Sequence, residues 1–209
     1  MTRYMRWLEA ERGRSFGDYQ ALWEWSVGEL EEFWASIWDF FQVDASAPYS
    51  EVLPDRVMPG ARWFAGAELS YAQHIFRGKR DTDLAVLHAS ELRPLGELRW
   101  GELRGQVARV AAGLRGLGVE RGDRVVAYMP NVPETLVAFL ATASLGAIWS
   151  SCSPDFGASS VVDRFAQIEP KVLLAVDGYR YNGRDFDRRD TVREVRDAIT
   201  GLGHTVLLR

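Results

Sequence analysis

The stretch Leu145-Gly-Ala-Ile-Trp-Ser-Ser-Cys-Ser-Pro-Asp-Phe-Gly157 decides the fold of this 209-residue chain. An apolar helix is predicted to end at Gly146, and a short apolar strand follows it. Small hydroxyl residues then lead through Pro154 to Gly157, where another helix is predicted to begin. This order predicts one strand of an α/β sheet with its carboxyl-end loop. In open α/β sheets, ligands bind at such loops.

Strand and helix patterns alternate on both sides of this stretch. The strands are predicted at 83–89, 124–129, 147–151, 172–176 and 205–208. The helices are predicted at 103–117, 131–145, 159–168 and 192–200. Such alternation implies right-handed crossovers between parallel strands, so we expect an α/β fold built of β/α units with a mostly parallel sheet.

Two of these helices carry local end signals. Gly118 follows the helix at 103–117 and fits a left-handed cap. Asn131 and Glu134 have capping-box spacing, and Pro133 suits a first turn because its missing N–H costs nothing there. The chain ends on the apolar strand at 205–208, which needs a covering helix, so we expect an amino-terminal fragment of a longer protein.

The amino-terminal third differs in composition from the rest. Six of the eight tryptophans lie within the first 63 residues. Ser26 and Glu29 have capping-box spacing, and the apolar periodicity after them predicts a helix from about Gly28 to Phe41. The tryptophans are interpreted as packing residues, since no polar companions support a ligand-stacking role. We therefore predict two domains, a leading segment at 1–80 and an α/β domain at 81–209.

Charge and cysteine content restrict the partners and the compartment. The net charge is −4 with both signs interspersed, which gives no positive field for nucleic acid and no polybasic strip for anionic lipid. We expect neither a nucleic acid partner nor a membrane partner. The single cysteine, Cys152, excludes an internal disulfide framework, and the longest nearly apolar run is shorter than the ~20 residues of a spanning helix. A cytoplasmic protein is expected.

Most catalytic patterns are absent. The three histidines and Cys152 have no metal-ligand spacing, and no histidine follows Cys152 within its local β/α unit to act as its base. The chain contains no Gly-x-x-x-x-Gly-Lys-Ser/Thr phosphate loop. The polar loop at 177–185 is the remaining candidate, because Arg180 and Arg184 could hold a phosphate while Gly183 lets the backbone approach it. The alternative is a solvated charged loop.

Several motifs together identify a family. They are Arg62-Trp-Phe-Ala-Gly66, Leu98-Arg-Trp-Gly-Glu-Leu103, Met129-Pro-Asn-Val-Pro-Glu134, Trp149-Ser-Ser-Cys-Ser-Pro-Asp-Phe-Gly157, Asp163-Arg-Phe-Ala-Gln-Ile-Glu-Pro-Lys171 and Tyr181-Asn-Gly-Arg184. With these motifs the chain resembles, over nearly its whole length, the amino-terminal portion of the acetoacetyl-CoA synthetases, which are adenylate-forming acyl-CoA synthetases. The resemblance implies the first part of the large AMP-binding domain, preceded by a leading segment.

The resemblance also implies a two-step reaction. Acetoacetate would attack the α-phosphate of Mg²⁺-bound ATP to give acetoacetyl-AMP, and the coenzyme A thiol would then displace AMP. The ATP and Mg²⁺ sites and the late catalytic lysine would lie beyond Arg209, so no catalytic residue is assigned and the fragment alone is expected to be inactive. The alternatives are a ligase for another short-chain acyl acid and a non-catalytic acyl- or CoA-binding remnant.

One binding site is implied within the chain. Relatives that activate acetate carry an arginine-bearing loop that contacts the nucleotide end of coenzyme A, and Tyr181, Asn182, Gly183 and Arg184 stand in its place. Gly183 and Arg184 match the end of that motif. Tyr181 replaces its first arginine, and Arg180 lies one position away. The resemblance therefore implies a coenzyme A contact centred on Arg184.

Overall fold

The computed structural model describes residues 1–209, and the chain divides into two units, Met1–Ser70 and Tyr71–Arg209. The first unit has three helices and two short strands: α1 (Thr2–Arg12), α2 (Tyr19–Gly28), α3 (Leu30–Phe40), β1 (Ala45–Ala47) and β2 (Glu68–Leu69). Its buried core is formed by Tyr4, Leu8, Leu22 and Trp25.

Aromatic contacts hold the first unit together. The ring of Trp38 lies 4.7 Å from that of Phe64, and the rings of Trp34 and Trp63 are 5.7 Å apart, measured between centroids. Trp25 is buried against Phe33. These contacts agree with the packing role predicted for the tryptophans.

The predicted capping box at Ser26 and Glu29 is wrong. Ser26 lies inside α2, where its hydroxyl donates to the carbonyl of Trp23, so it is not available to cap a later helix. Asp18 caps α2 instead, accepting from the N–H of Ala21 at 2.9 Å. The helix predicted from 28 to 41 is present as α3, which begins at Leu30 without a side-chain cap.

The second unit contains the remaining elements. They are α4 (Tyr71–Phe76), β3 (Leu84–His88), β4 (Gly96–Arg99), α5 (Trp100–Gly116), β5 (Arg124–Tyr128), α6 (Pro133–Ser144), β6 (Ile148–Cys152), α7 (Ala158–Phe165), β7 (Val172–Val176), β8 (Gly178–Tyr181), β9 (Arg184–Asp187), α8 (Arg189–Ala198) and β10 (His204–Leu208). A single 3₁₀ turn, Ala166–Ile168, follows α7.

A four-stranded sheet is the centre of this unit. Its strand order is β10-β7-β5-β6, and all three pairings are parallel. Successive residues of β5 join different cores: Val125 and Ala127 pack with residues of α5 and α6, whereas Val126 and Tyr128 pack with residues of α7 and α8. Both faces are therefore covered by helices, which explains the uninterrupted apolar strands. The predicted α/β class with a parallel sheet is confirmed.

The strand predicted at 83–89 forms a separate antiparallel pair. It is present as β3, which pairs with β4 and not with the parallel sheet. Only seven residues, 89–95, connect the two strands. A connection of that length makes a hairpin, since a parallel crossover needs a dozen residues or more.

The two helix-end predictions in this unit have different outcomes. Gly118 is confirmed as the cap of α5: its φ is 80°, and the N–H of Val119 reaches back to the carbonyl of Leu114 at 3.0 Å. The capping box at Asn131 and Glu134 is wrong, because Val132 occupies the N-cap position and no side chain caps α6. Pro133 does begin that helix, as predicted.

None of the helices is long and apolar enough to cross a lipid bilayer. No three side chains of His, Cys, Asp or Glu come together in a group that could hold a metal ion.

Candidate ligand site at the carboxyl edge of the sheet

The strand order places a topological switch point at the carboxyl end of β5. The chain passes from β5 to β6 on one side and then crosses to β7 on the other side of β5. Loops that leave neighbouring strands in opposite directions open a crevice at this point, and α/β sheets bind ligands there. A cleft of about 400 Å³ lies at this edge, lined in part by residues 130–132, 153–155 and 176–181.

The segment after β7 is a β-hairpin and not the loop that the sequence suggested. Strands β8 and β9 pair antiparallel, with Tyr181 opposite Arg184. The two residues between them, Asn182 and Gly183, have φ values of 50° and 71°. A two-residue turn with both φ values positive is a type I′ hairpin turn, for which Asn-Gly is the preferred sequence. That dipeptide was the signal that our sequence reasoning missed.

All four predicted binding residues lie together at the tip of this hairpin. Tyr181, Asn182, Gly183 and Arg184 are exposed, and of the four only Tyr181 lines the cleft. The Arg184 guanidinium makes no ion pair. The backbone N–H groups of Asn182 and Gly183 both donate to the carboxylate of Glu91, at 2.6 and 2.7 Å. The tip therefore already holds one anion through its backbone.

Arg180 is engaged elsewhere. It lies directly opposite Asp185 in the hairpin and donates to both oxygens of that carboxylate, at 2.7 and 2.8 Å. This hydrogen-bonded pair raises the pKa of Arg180 and lowers that of Asp185. A ligand phosphate would have to compete with this internal carboxylate for the guanidinium.

The base of the hairpin is held by residues that the sequence analysis did not identify. The Tyr179 hydroxyl donates to Oδ1 of Asp155 at 2.5 Å and accepts from Nη2 of Arg188 at 3.0 Å. Ser153 donates to the other oxygen of Asp155 at 2.9 Å. The hydrogen bonds from Tyr179 and then Ser153 lower the pKa of Asp155. These contacts join the loop after β6 to the hairpin after β7.

The loop after β6 is itself fixed from β5. The Tyr128 hydroxyl lies 2.7 Å from each of the carbonyl oxygens of Pro154 and Phe156, which can both accept its hydrogen bond. Burial raises the pKa of Tyr128, so this hydroxyl stays neutral and acts as a donor. Burial also raises the pKa of the Cys152 thiol, which disfavours the thiolate that a nucleophile requires.

Comparisons with known proteins agree with this architecture. The profile of the family described as "AMP-binding enzyme" matches residues 79–207, and that of "Acetyl-coenzyme A synthetase N-terminus" matches residues 19–75. A solved structure of acetoacetyl-CoA synthetase from Streptomyces lividans is similar with a TM-score of 0.93 and 50% identity, covering 99% of this chain and 32% of that one.

Curated relatives show the same pattern. Acetoacetyl-coenzyme A synthetase from Rhizobium meliloti is 42% identical over 97% of this chain. Acetoacetyl-CoA synthetase from Rattus norvegicus is 38% identical over 100% of it. In both cases the chain spans 31% of the relative's own length.

Proposed function

Because the chain belongs to the family of AMP-binding enzymes, we propose that it forms the amino-terminal part of an acetoacetate–CoA ligase. The proposed reaction converts ATP, acetoacetate and coenzyme A into AMP, pyrophosphate and acetoacetyl-CoA. The observation that carries the proposal is the 50% identity and TM-score of 0.93 over 99% of the chain with an enzyme of that name. ATP, Mg²⁺ and coenzyme A are the small molecules that this reaction needs.

The hairpin tip is the part of the chain that we assign to coenzyme A. Asn182 and Gly183 would offer backbone N–H donors to a phosphate, Arg184 a guanidinium and Tyr181 a ring. Two features support this assignment: the turn already holds a carboxylate through the same N–H groups, and the Arg184 guanidinium makes no ion pair. A fork of N–H donors suits phosphate geometry better than a single ammonium.

The other parts of the proposal concern organisation and surroundings. Residues 1–80 would be the leading segment and residues 81–209 the first subdomain of the AMP-binding domain. The groups that hold ATP and Mg²⁺ would come from sequence that this chain does not contain. We place the protein in the cytoplasm, without a nucleic acid or membrane partner, because it has one buried cysteine and a net charge of −4.

A chimera tests the proposal. Residues 1–209 replace the corresponding amino-terminal third of the Streptomyces lividans enzyme, and acid-dependent ATP–pyrophosphate exchange and thioester formation are measured with acetoacetate, acetate and butyrate. We expect both activities, with acetoacetate preferred. A chimera that melts cooperatively but lacks both activities would overturn the proposal, and a preference for another acid would favour the alternative of a different short-chain ligase.

A second test of the proposal uses the isolated 209-residue chain. We expect no pyrophosphate release from acetoacetate, ATP and Mg²⁺ by the 209-residue chain, because no phosphate loop occurs in its sequence. Turnover above that of a mock preparation would contradict this expectation. Coenzyme A binding by the isolated chain, combined with an inactive chimera, would favour a non-catalytic binding module.

A further inference from the structure

The hairpin formed by β8 and β9 makes few polar side-chain contacts with the rest of its unit. At the tip it is held by Glu91, an exposed carboxylate. At the base, Tyr179 is the hairpin side chain that bonds the loop after β6, through Asp155. Since that loop is fixed in turn by Tyr128 of the central strand, Tyr179 connects the hairpin to the sheet core.

The surroundings of Tyr179 restrict its side chain. Its ring stacks on that of Phe186, the residue opposite it in the hairpin, with centroids 5.1 Å apart and planes inclined by 14°. The Arg188 guanidinium lies over both rings, 5.3 Å from the Tyr179 centroid. Stacking and the cation contact fix the ring plane, so the hydroxyl has one direction in which to donate.

The hydrogen bonds at that hydroxyl are charge-assisted on both sides. Arg188 donates a hydrogen bond to the phenolic oxygen, and the phenolic O–H donates one to the Asp155 carboxylate. Bonds to ionised groups are shorter and roughly twice as strong as neutral ones. Ser153 occupies the other oxygen of Asp155, which prevents the carboxylate from turning away.

We propose that Tyr179 is a positioning residue for the ligand that the hairpin tip binds, acting through Asp155 to hold the hairpin at one angle to the sheet. This inference rests on the proposed function for the identity of the ligand, coenzyme A. Loss of the hydroxyl leaves the tip residues unchanged but lets the hairpin sample other orientations. Binding then requires ordering of the hairpin, which weakens affinity without altering any direct contact.

The first test needs no ligand. Hydrogen exchange of the peptide covering residues 178–188 is compared in the 209-residue chain and its Tyr179→Phe variant, with Tyr71→Phe as the matched control, since Tyr71 is an exposed tyrosine of α4, outside the hairpin. We expect Tyr179→Phe to speed exchange in this peptide by roughly tenfold. Unchanged exchange would overturn the proposal whatever the protein's activity.

The second test uses kinetics in the chimera. Tyr179→Phe should raise the Michaelis constant for coenzyme A by roughly five- to tenfold while acetoacetate-dependent ATP–pyrophosphate exchange stays constant. Asp155→Asn should have a similar effect, and the double variant should be no worse than either single one, because the two groups act as a pair. Additive effects, or equal losses of exchange and thioester formation, would indicate a merely structural tyrosine. An inactive wild-type chimera would count against the proposed function, while the hydrogen-exchange measurement still decides the role of Tyr179.

Discussion

Arg180 and Arg184 belong to the same hairpin but differ in what their guanidinium groups contact. Arg180 is paired with Asp185, whereas Arg184 makes no ion pair. The family resemblance had already favoured Arg184 over Arg180. The structure supplies an independent physical reason to rank Arg184 above Arg180 as a phosphate contact. An arginine that already makes two hydrogen bonds to a carboxylate gains less binding free energy from a phosphate.

Replacement of Arg184 by alanine should therefore weaken the second half-reaction. A charge-assisted contact contributes about 1.5–3 kcal/mol, so Arg184→Ala in the chimera should raise the Michaelis constant for coenzyme A by roughly ten- to a hundredfold. The ATP–pyrophosphate exchange involves no coenzyme A and should remain constant. Arg180→Ala is the matched control and should have a smaller effect. Equal damage to both half-reactions would show that Arg184 only maintains the fold.

Substitution of Glu91 should change the Michaelis constant for coenzyme A in the opposite direction. Its carboxylate occupies the two N–H groups that we assign to a phosphate, so the ligand must displace it and also approach its negative charge. Glu91→Gln keeps the shape and removes the charge. We expect a Michaelis constant for coenzyme A that is lower by roughly two- to fivefold, measured at low salt where charge effects are largest. A higher value would show that Glu91 supports the bound form of the hairpin.

At the scale of elements, the parallel strands were predictable and the hairpin was not. Strands β5 and β7 are buried on both faces, so their apolar runs stand out in the sequence. Strands β8 and β9 have four residues each and consist of charged and aromatic residues with one glycine, so neither contains an apolar run. Their pairing depends on the Asn182-Gly183 turn and on the contacts of Tyr179, and the latter exist only once the sheet is assembled.

Helix caps were predicted less well than helix positions. Ser26 and Asn131 had the right residue types and spacing, but each lies where the backbone does not start a helix. Capping-box spacing occurs by chance in many sequences. Gly118, in contrast, has a φ of 80°, which residues with a Cβ rarely adopt. The glycine predicted the helix end correctly because the backbone conformation at that position favours glycine.

Two glycine substitutions should change stability in opposite directions. A Cβ at Gly178 would lie 2.6 Å from the carbonyl oxygen of Phe186, so Gly178→Ala must distort the hairpin and should destabilise the protein by roughly 1–3 kcal/mol. Gly113 lies in the exposed part of α5, where an added methyl group would meet no atom within 4 Å, so Gly113→Ala should stabilise by about 0.5–1 kcal/mol. Chemical denaturation of the 209-residue chain measures both. Equal and same-signed changes would contradict the hairpin packing described above.

At the scale of the whole molecule, β10 is an edge strand with exposed apolar side chains. Val206 and Leu207 are 44% and 38% exposed, and the strand pairs only with β7. An edge with unpaired backbone groups and apolar side chains promotes association between copies.

The 209-residue chain should therefore self-associate as its concentration rises. Light scattering should report this growth, and replacing Val206 and Leu207 together by lysine should suppress it. The control is Val27→Lys, which changes an exposed valine of α2 in the first unit and should leave association unchanged. A monodisperse wild-type chain that melts cooperatively would show that β10 needs no further cover.

The proposed function is tested most directly by the rate of acetoacetyl-CoA formation by the chimera, measured over a range of coenzyme A concentrations beside the native Streptomyces lividans enzyme. If residues 1–209 carry the leading segment and the coenzyme A hairpin of such a ligase, the chimera should saturate with coenzyme A at concentrations close to those of the native enzyme. A folded chimera that retains acetoacetate-dependent ATP–pyrophosphate exchange but makes no thioester would contradict the assignment of the hairpin to coenzyme A.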